Sequence, residues 1–185
     1  MTTANVSILP ALDWTAIAAE LPNLRAAHQW ALHHDVDTAL QIAGAMFWYA
    51  AWYGAAEAFE WATAALERAR SHTGPALAPA YATAALGAAR RGDMSLARAL
   101  AERGTAGEAH ASARFAWEAL SSAEMMSGNY QRTLDCQQRA YELAGQAGDT
   151  THQARERAAR ALALGYLGRL DAAEAELAAA TELLN

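Results

Sequence analysis

Apolar residues recur every three or four positions along most of the chain, and short polar or glycine-containing segments interrupt them at regular intervals. This spacing predicts amphipathic α-helices joined by turns. About nine or ten helices are expected. The predicted ranges are 13–20, 22–34, 36–53, 55–71, 76–91, 94–105, 109–127, 130–146, 151–167 and 170–184.

The turns themselves repeat. Glycines that close helical segments stand at Gly54, Gly92, Gly128 and Gly168, so the interval is 36 to 40 residues. Looser breaks lie between them, at 71–75, 104–107 and 145–150. A unit of this length with two helices is typical of antiparallel helix pairs that stack into an α-solenoid.

The third unit also fits the tetratricopeptide pattern of large, small and turn residues, whereas the second and last units fit it only in part. We therefore predict an all-α, tetratricopeptide-like α-solenoid as a single domain over 13–185, with a frayed lead-in at 1–12. The residues of the third unit that carry the pattern are Trp117, Leu120, Ser121, Gly128, Tyr130 and Ala140.

Composition supports helices and excludes several functions. The 185 residues include 52 Ala and 21 Leu but only five Val and Ile, which favours helix over strand. All 14 basic residues are Arg and the net charge is −6, so direct nucleic-acid binding is not expected. The apolar stretch 42–56, which contains no charged residue, is too short to cross a membrane. With no signal peptide and a single cysteine, Cys136, the sequence indicates a cytoplasmic protein.

No catalytic motif is present, so we predict neither an enzyme nor a cofactor. The most concentrated metal-capable group is the histidine and aspartate cluster at 28–37. His28 and His33 are five positions apart and therefore point about 140° away from each other on a helix, so no metal site is predicted there or elsewhere. The predicted helix N-caps are Asp13, Asp93 and Asn129, with Asp35 or Asp37 before the third helix.

Candidate binding residues follow from the repeat register. The aromatic run at 47–53 cannot point all its rings into a core, so at least one or two must face a groove, a partner or solvent. Core packing is the alternative for the others. In addition, Arg155, Arg157 and Arg160 are expected to form simple surface or inter-helix pairs with Glu156 and the acidic last helix. The residues predicted to line the concave surface are Trp48, Trp52, Arg90, Glu118, Ser122, Met125, Arg155 and Tyr166.

Residues 21–70 carry a more specific pattern. Asn23-Leu24-Arg25-Ala26-Ala27 is followed by Trp30-Ala31-Leu32, Asp35, Ala39-Leu40, Ile42-Ala43, Trp48 and Gly54. This segment resembles the start of the helical-repeat region in bacterial signal-transduction ATPases with numerous domains, which include LuxR-like transcriptional regulators. The phosphate-binding loop and the DNA-reading module of that family have no counterpart in this sequence.

The resemblance implies a non-catalytic sensor or interaction segment. Its expected partners are a peptide or protein, the regulator's own ATPase and DNA-binding domains, or another copy of the chain, and a small effector is also possible. The apolar ending at Leu183 and Leu184 favours a fragment or an array completed by another copy. The alternative is a stand-alone, self-associating scaffold with no regulatory output.

Overall fold

The computed structural model describes residues 14–106 and 110–185. Within these ranges the protein is all helical, with ten α-helices, one short 3₁₀ helix and no strand, which confirms the predicted all-α class. The predicted lead-in at 1–12 and the predicted cap Asp13 lie outside the described residues. The helices are α1 Trp14–His34, α2 Val36–Ala45, α3 Phe47–Tyr53, α4 Ala56–Arg68, α5 Leu77–Arg90, α6 Met94–Thr105, α7 Arg114–Met126 after the 3₁₀ helix Ala111–Ala113, α8 Tyr130–Gln146, α9 Thr150–Tyr166 and α10 Leu170–Glu182.

The division of the chain into helices differs from the predicted one at two places, and several helix ends also shift by a few residues. The segments predicted at 13–20 and 22–34 form one helix, α1, which contains Pro22. Pro22 and Ala18, whose carbonyl would otherwise accept from residue 22, are both exposed, so water can solvate that carbonyl. Conversely, the segment predicted at 36–53 divides into α2 and α3 at Met46. The apolar spacing continues across Met46, which is why the sequence pattern does not reveal this break.

Helices that are adjacent in sequence pack against each other from α5 to α10, and α5 also contacts α2, α4 and α7. This is the packing that stacked helix pairs require. The superhelical solenoid arrangement itself stays a prediction.

Small residues bring these helices together. A Cβ atom added at Gly87 of α5 would lie 2.6 Å from Cβ of Phe59 on α4. One added at Gly104 of α6 would lie 2.7 Å from Cβ of Ala116 on α7. Real Cβ atoms do not approach so closely, so both positions need glycine. The small residues at these positions therefore allow close helix contacts.

The helix ends follow the predicted turns in most cases. Asp35 and Asp93 cap α2 and α6 by accepting from the backbone N–H of Thr38 and Leu96. Asn129 precedes α8, but its side chain does not cap that helix. Gly128, just before it, has a φ of 77°, which glycine adopts without strain.

None of the helices in the described ranges has both the length and the apolar character that crossing a membrane requires.

Candidate functional site

Three titratable side chains meet where α7 and α9 face each other. Nε2 of His152 lies 3.4 Å from Oε2 of Glu118 and 3.3 Å from Oε1 of Glu156. His152 and Glu156 are one turn apart on α9, so they share a face, and Glu118 approaches from α7. Asp149 fixes the start of α9 by accepting from the backbone N–H of His152 at 2.9 Å. We call Glu118, His152 and Glu156 the buried triad.

The buried triad is poorly compensated. The side chains of His152 and Glu156 are only 3% and 2% exposed, and that of Glu118 is 18% exposed. Nε2 of His152 and Oε2 of both glutamates have no hydrogen-bond partner. Burial, and for Glu118 also the nearby Glu156, raises the pKa of both carboxyl groups to about 8. Burial likewise lowers the pKa of His152. The site therefore holds polar atoms whose bonding capacity is unused.

Arg155 and Trp48 form one wall of the site. The Arg155 guanidinium stacks over the Trp48 ring and lies 3.6 Å from Oε1 of Glu118. Trp48 and Phe115 both pack edge-on against the His152 ring, with centroids 5.9 and 5.5 Å away. These contacts hold the imidazole in position. Because Arg155 lies near Oε1 of Glu118, Oε2 is the oxygen that approaches His152.

A cavity of about 490 Å³ opens next to the triad, between α5, α7, α8 and α9. Glu118 and Glu156 both line it, together with Gln137, whose Oε1 is also without a partner. The remaining wall is largely apolar, and it includes Leu86, Met125, Met126 and Leu162. A volume of this size, with a few polar groups among apolar ones, is usual for small-molecule sites.

The structure brings together half of the predicted concave residues. Arg90, Glu118, Ser122 and Met125 all line this cavity. Trp48 and Arg155 lie on the other side of the triad, in contact with each other.

The remaining two predicted residues do not line the cavity. Trp52 is 56% exposed, which agrees with the expectation that part of the aromatic run cannot be core. Tyr166, also exposed, stacks on Tyr130 with ring centroids 4.9 Å apart. Both residues are available at the surface but lie away from the triad.

The expected surface pairing of the arginines holds only in part. Arg157 and Arg160 each lie 2.9 Å from an oxygen of Glu176 on α10, as inter-helix pairing predicts. Glu156, however, is buried, and the side chain of Arg155 is only 13% exposed. They lie on the face of α9 that packs inward, one turn from His152. Arg160 pairs with Glu176 and not with Glu156.

The triad itself is a site that sequence reasoning missed. His152 and Glu156 are separated by four positions, a spacing that places two side chains on one helix face, and this was the available signal. Glu118 was predicted to line the groove but not to meet a histidine. Its approach depends on how α7 and α9 pack, which the local pattern does not encode.

Comparison with protein-family models gives no match, and comparison with curated proteins gives no significant match. The resemblance of residues 21–70 to regulator repeat regions therefore stays a prediction. Function has to be inferred from the cavity and the triad.

Proposed function

We propose that this protein is a non-catalytic helical-repeat sensor module that binds a small effector or a peptide side chain in the cavity between α5, α7 and α9. In this proposal the module belongs to, or associates with, a bacterial transcriptional regulator. The observation that carries the binding role is the cavity itself, because residues from three successive odd-numbered helices converge on it. The regulatory role is supported only by the resemblance of residues 21–70.

The lining indicates the kind of ligand. Leu86, Met125 and Leu162 offer an apolar surface, while Glu118, Glu156 and Gln137 offer oxygen acceptors at one side. A ligand with an apolar body and a polar end matches this distribution. Binding across α5, α7 and α9 would couple these helices, which is how occupancy of a repeat array can reach attached domains.

A thermal-shift screen of a fragment library tests the proposal. Ser122→Trp fills the cavity with a large ring, whereas Ser71→Trp places the same ring at an exposed turn. We expect compounds that raise the Tm of the wild type and of Ser71→Trp but not of Ser122→Trp. Native mass spectrometry of the purified chain adds a search for a retained ligand. A bare chain with no fragment that distinguishes the two variants would contradict the proposal.

A self-associating scaffold is the second candidate, and a specific surface favours it. Leu162, Leu170 and Leu177, on α9 and α10, are 56%, 64% and 49% exposed. Leu170 and Leu177 are seven positions apart and therefore share one face of α10, and an exposed apolar helix face of this kind can pack against another copy. Light scattering of the wild type and of the double variant Leu170→Glu, Leu177→Glu decides this. A dimer that the double variant abolishes supports the scaffold, and a monomeric wild type excludes it.

A further inference from the structure

We propose that Glu118, His152 and Glu156 bind a single divalent transition-metal ion of the zinc type, which sits between α7 and α9 at the edge of the cavity. This site goes beyond the proposed effector binding and does not depend on it. Its ligands would be Oε2 of Glu118, Nε2 of His152 and one carboxylate oxygen of Glu156.

Two of the three distances between the donor atoms match the edge of a tetrahedral site. Ligands about 2.0 to 2.1 Å from a zinc ion stand about 3.4 Å from one another along a tetrahedron edge. The two distances from Nε2 of His152 to the carboxylates are 3.4 and 3.3 Å. One ligand atom from each residue can be chosen so that all three lie within 4.8 Å of one another. A small inward movement of the two carboxylates closes the set around one ion.

The donor atoms are also unused by the protein. Nε2 of His152 and Oε2 of Glu118 have no hydrogen-bond partner, although the imidazole is 3% exposed. Two buried carboxyl groups beside one imidazole are costly unless a cation or a hydrogen-bond network compensates them. A divalent ion would supply this compensation.

The neighbouring arginines compensate the buried carboxyl groups only in part. Arg155 lies 3.6 Å from Oε1 of Glu118, the oxygen that points away from His152. Arg114 of α7 pairs with Asp149 at 3.2 Å. Arg160 pairs with Glu176 of α10. Arg114 and Arg160 therefore face acceptors outside the triad, and Arg155 pairs with the oxygen of Glu118 that is not nearest to His152. Oε2 of Glu118, which is nearest to His152, has no hydrogen-bond partner.

The cavity gives the ion a route and a free coordination position. Glu118 and Glu156 line it, so an ion can reach both from solvent without unfolding the helices. Three protein ligands plus one water molecule complete four-coordination. Gln137, with its unpartnered Oε1 in the same cavity, is placed to accept a hydrogen bond from such a water.

The donor types favour zinc over calcium or magnesium. An imidazole nitrogen suits zinc and its transition-metal neighbours, whereas Ca²⁺ and Mg²⁺ prefer a shell made only of oxygens and more ligands than three side chains provide. Cys136, the protein's only cysteine, is buried and lies outside the triad. The expected first shell therefore contains nitrogen and oxygen but no sulfur.

Isothermal titration calorimetry of the EDTA-treated full chain with ZnCl₂ tests the site. We expect one zinc ion per chain, and at least an approximately 100-fold loss of affinity in Glu156→Gln and in His152→Asn, since both remove a direct ligand. The matched control is His33→Asn with His34→Asn, which removes two exposed histidines at the end of α1. It should leave the affinity unchanged. MgCl₂ and CaCl₂ should give no saturable binding.

Circular dichroism checks that each variant folds, and Glu118→Gln replaces any buried variant that does not. X-ray absorption at the zinc edge on the wild type needs no variant, and we expect one imidazole and only nitrogen or oxygen donors. Zinc binding that all triad variants retain, a sulfur donor, or no saturable zinc binding would overturn the proposal. If zinc does not bind while Ser122→Trp still abolishes fragment binding, only the metal site is wrong. If zinc binds but no fragment distinguishes Ser122→Trp from Ser71→Trp, only the effector site is wrong.

Discussion

Glu124 on α7 and Glu156 on α9 are both buried glutamates, yet their hydrogen bonding differs and their pKa values shift in opposite directions. Nε of Arg98 donates to Oε1 of Glu124 at 2.7 Å, and Nδ2 of Asn129 donates to Oε2 at 2.6 Å. The hydrogen bond from Arg98 is the main reason that the pKa of Glu124 is lowered. Burial, by contrast, raises the pKa of Glu156.

This difference distinguishes Glu124, a structural carboxylate, from Glu156, whose hydrogen-bonding capacity is not fully used. Glu124 links α6, α7 and the start of α8, because Arg98 comes from α6 and Asn129 precedes α8. Glu156 makes no comparable link, since Arg157 and Arg160 pair with Glu176 instead. A buried polar group that makes all its hydrogen bonds has a structural role. One with unused hydrogen-bonding capacity indicates a ligand or another function.

The largest effect is expected when Glu124 loses its arginine. Arg98→Met keeps the aliphatic stem but leaves a buried carboxylate with Asn129 alone, so the free energy of unfolding should fall by about 3 kcal/mol. Arg139→Met is the control, because the pair of Arg139 with Glu142 is exposed at 36% and 44%, and it should change stability by less than about 0.5 kcal/mol. Urea unfolding of both variants measures the difference. Equal effects would show that Glu124 is no better coupled than a surface residue.

The opposite sign is expected at Glu156. In EDTA, Glu156→Met removes a buried oxygen without a partner and keeps an apolar side chain in its place, so stability should rise by about 1 to 2 kcal/mol. Glu176→Met is the matched control, and it should lower stability because it removes the carboxylate that Arg157 and Arg160 share. A marked loss of stability in Glu156→Met would mean that Glu156 is a structural residue like Glu124.

Local features of this protein could be predicted from its sequence. The helices, their turns and the caps at Asp35 and Asp93 are local features, so spacing and residue type were sufficient to predict them. The break at Met46 leaves the apolar spacing intact and was missed. Arg90, Glu118, Ser122 and Met125 line one cavity, whereas the predicted repeat register places them only on a shared concave surface and indicates no particular ligand.

What the sequence could not show depends on packing between helices. Asn129 stands where a cap is expected, but its amide reaches Glu124, a choice that requires the geometry of α7 and α8. The meeting of Glu118 with His152 likewise requires α7 and α9 to be placed in space. The low exposure of Arg155 and Glu156 also results from helix packing. The sequence does not indicate it, because a charged residue on a helix is by default expected at the surface.

Asn129 provides a sharper test of the Glu124 network. At a true N-cap, aspartate is as good as asparagine, so Asn129→Asp would be neutral. Because the amide instead donates to Oε2 of Glu124, the substitution brings two carboxylates together, and we expect a loss of about 1 kcal/mol. Asp93→Asn, at a cap that does accept from Leu96, should be nearly neutral. If the two exchanges have the same small effect in thermal unfolding, Asn129 acts only as a cap.

The smallest effect is the dependence of the Glu124 contribution on pH. The pKa of Glu124 is lower in the folded protein than its ordinary value of 4.5, so the folded state favours the charged carboxylate. This stabilisation is complete above about pH 4.5 and is lost as the pH falls through the folded-state pKa. The stability difference between the wild type and Glu124→Gln should therefore shrink on acidification, as urea unfolding at a series of pH values would show. In the Arg98→Met background the same difference should change less with pH, since Arg98 is the principal cause of the lowered pKa. A difference that stays constant in the wild-type background would mean that the charge of Glu124 adds nothing to its hydrogen bonds.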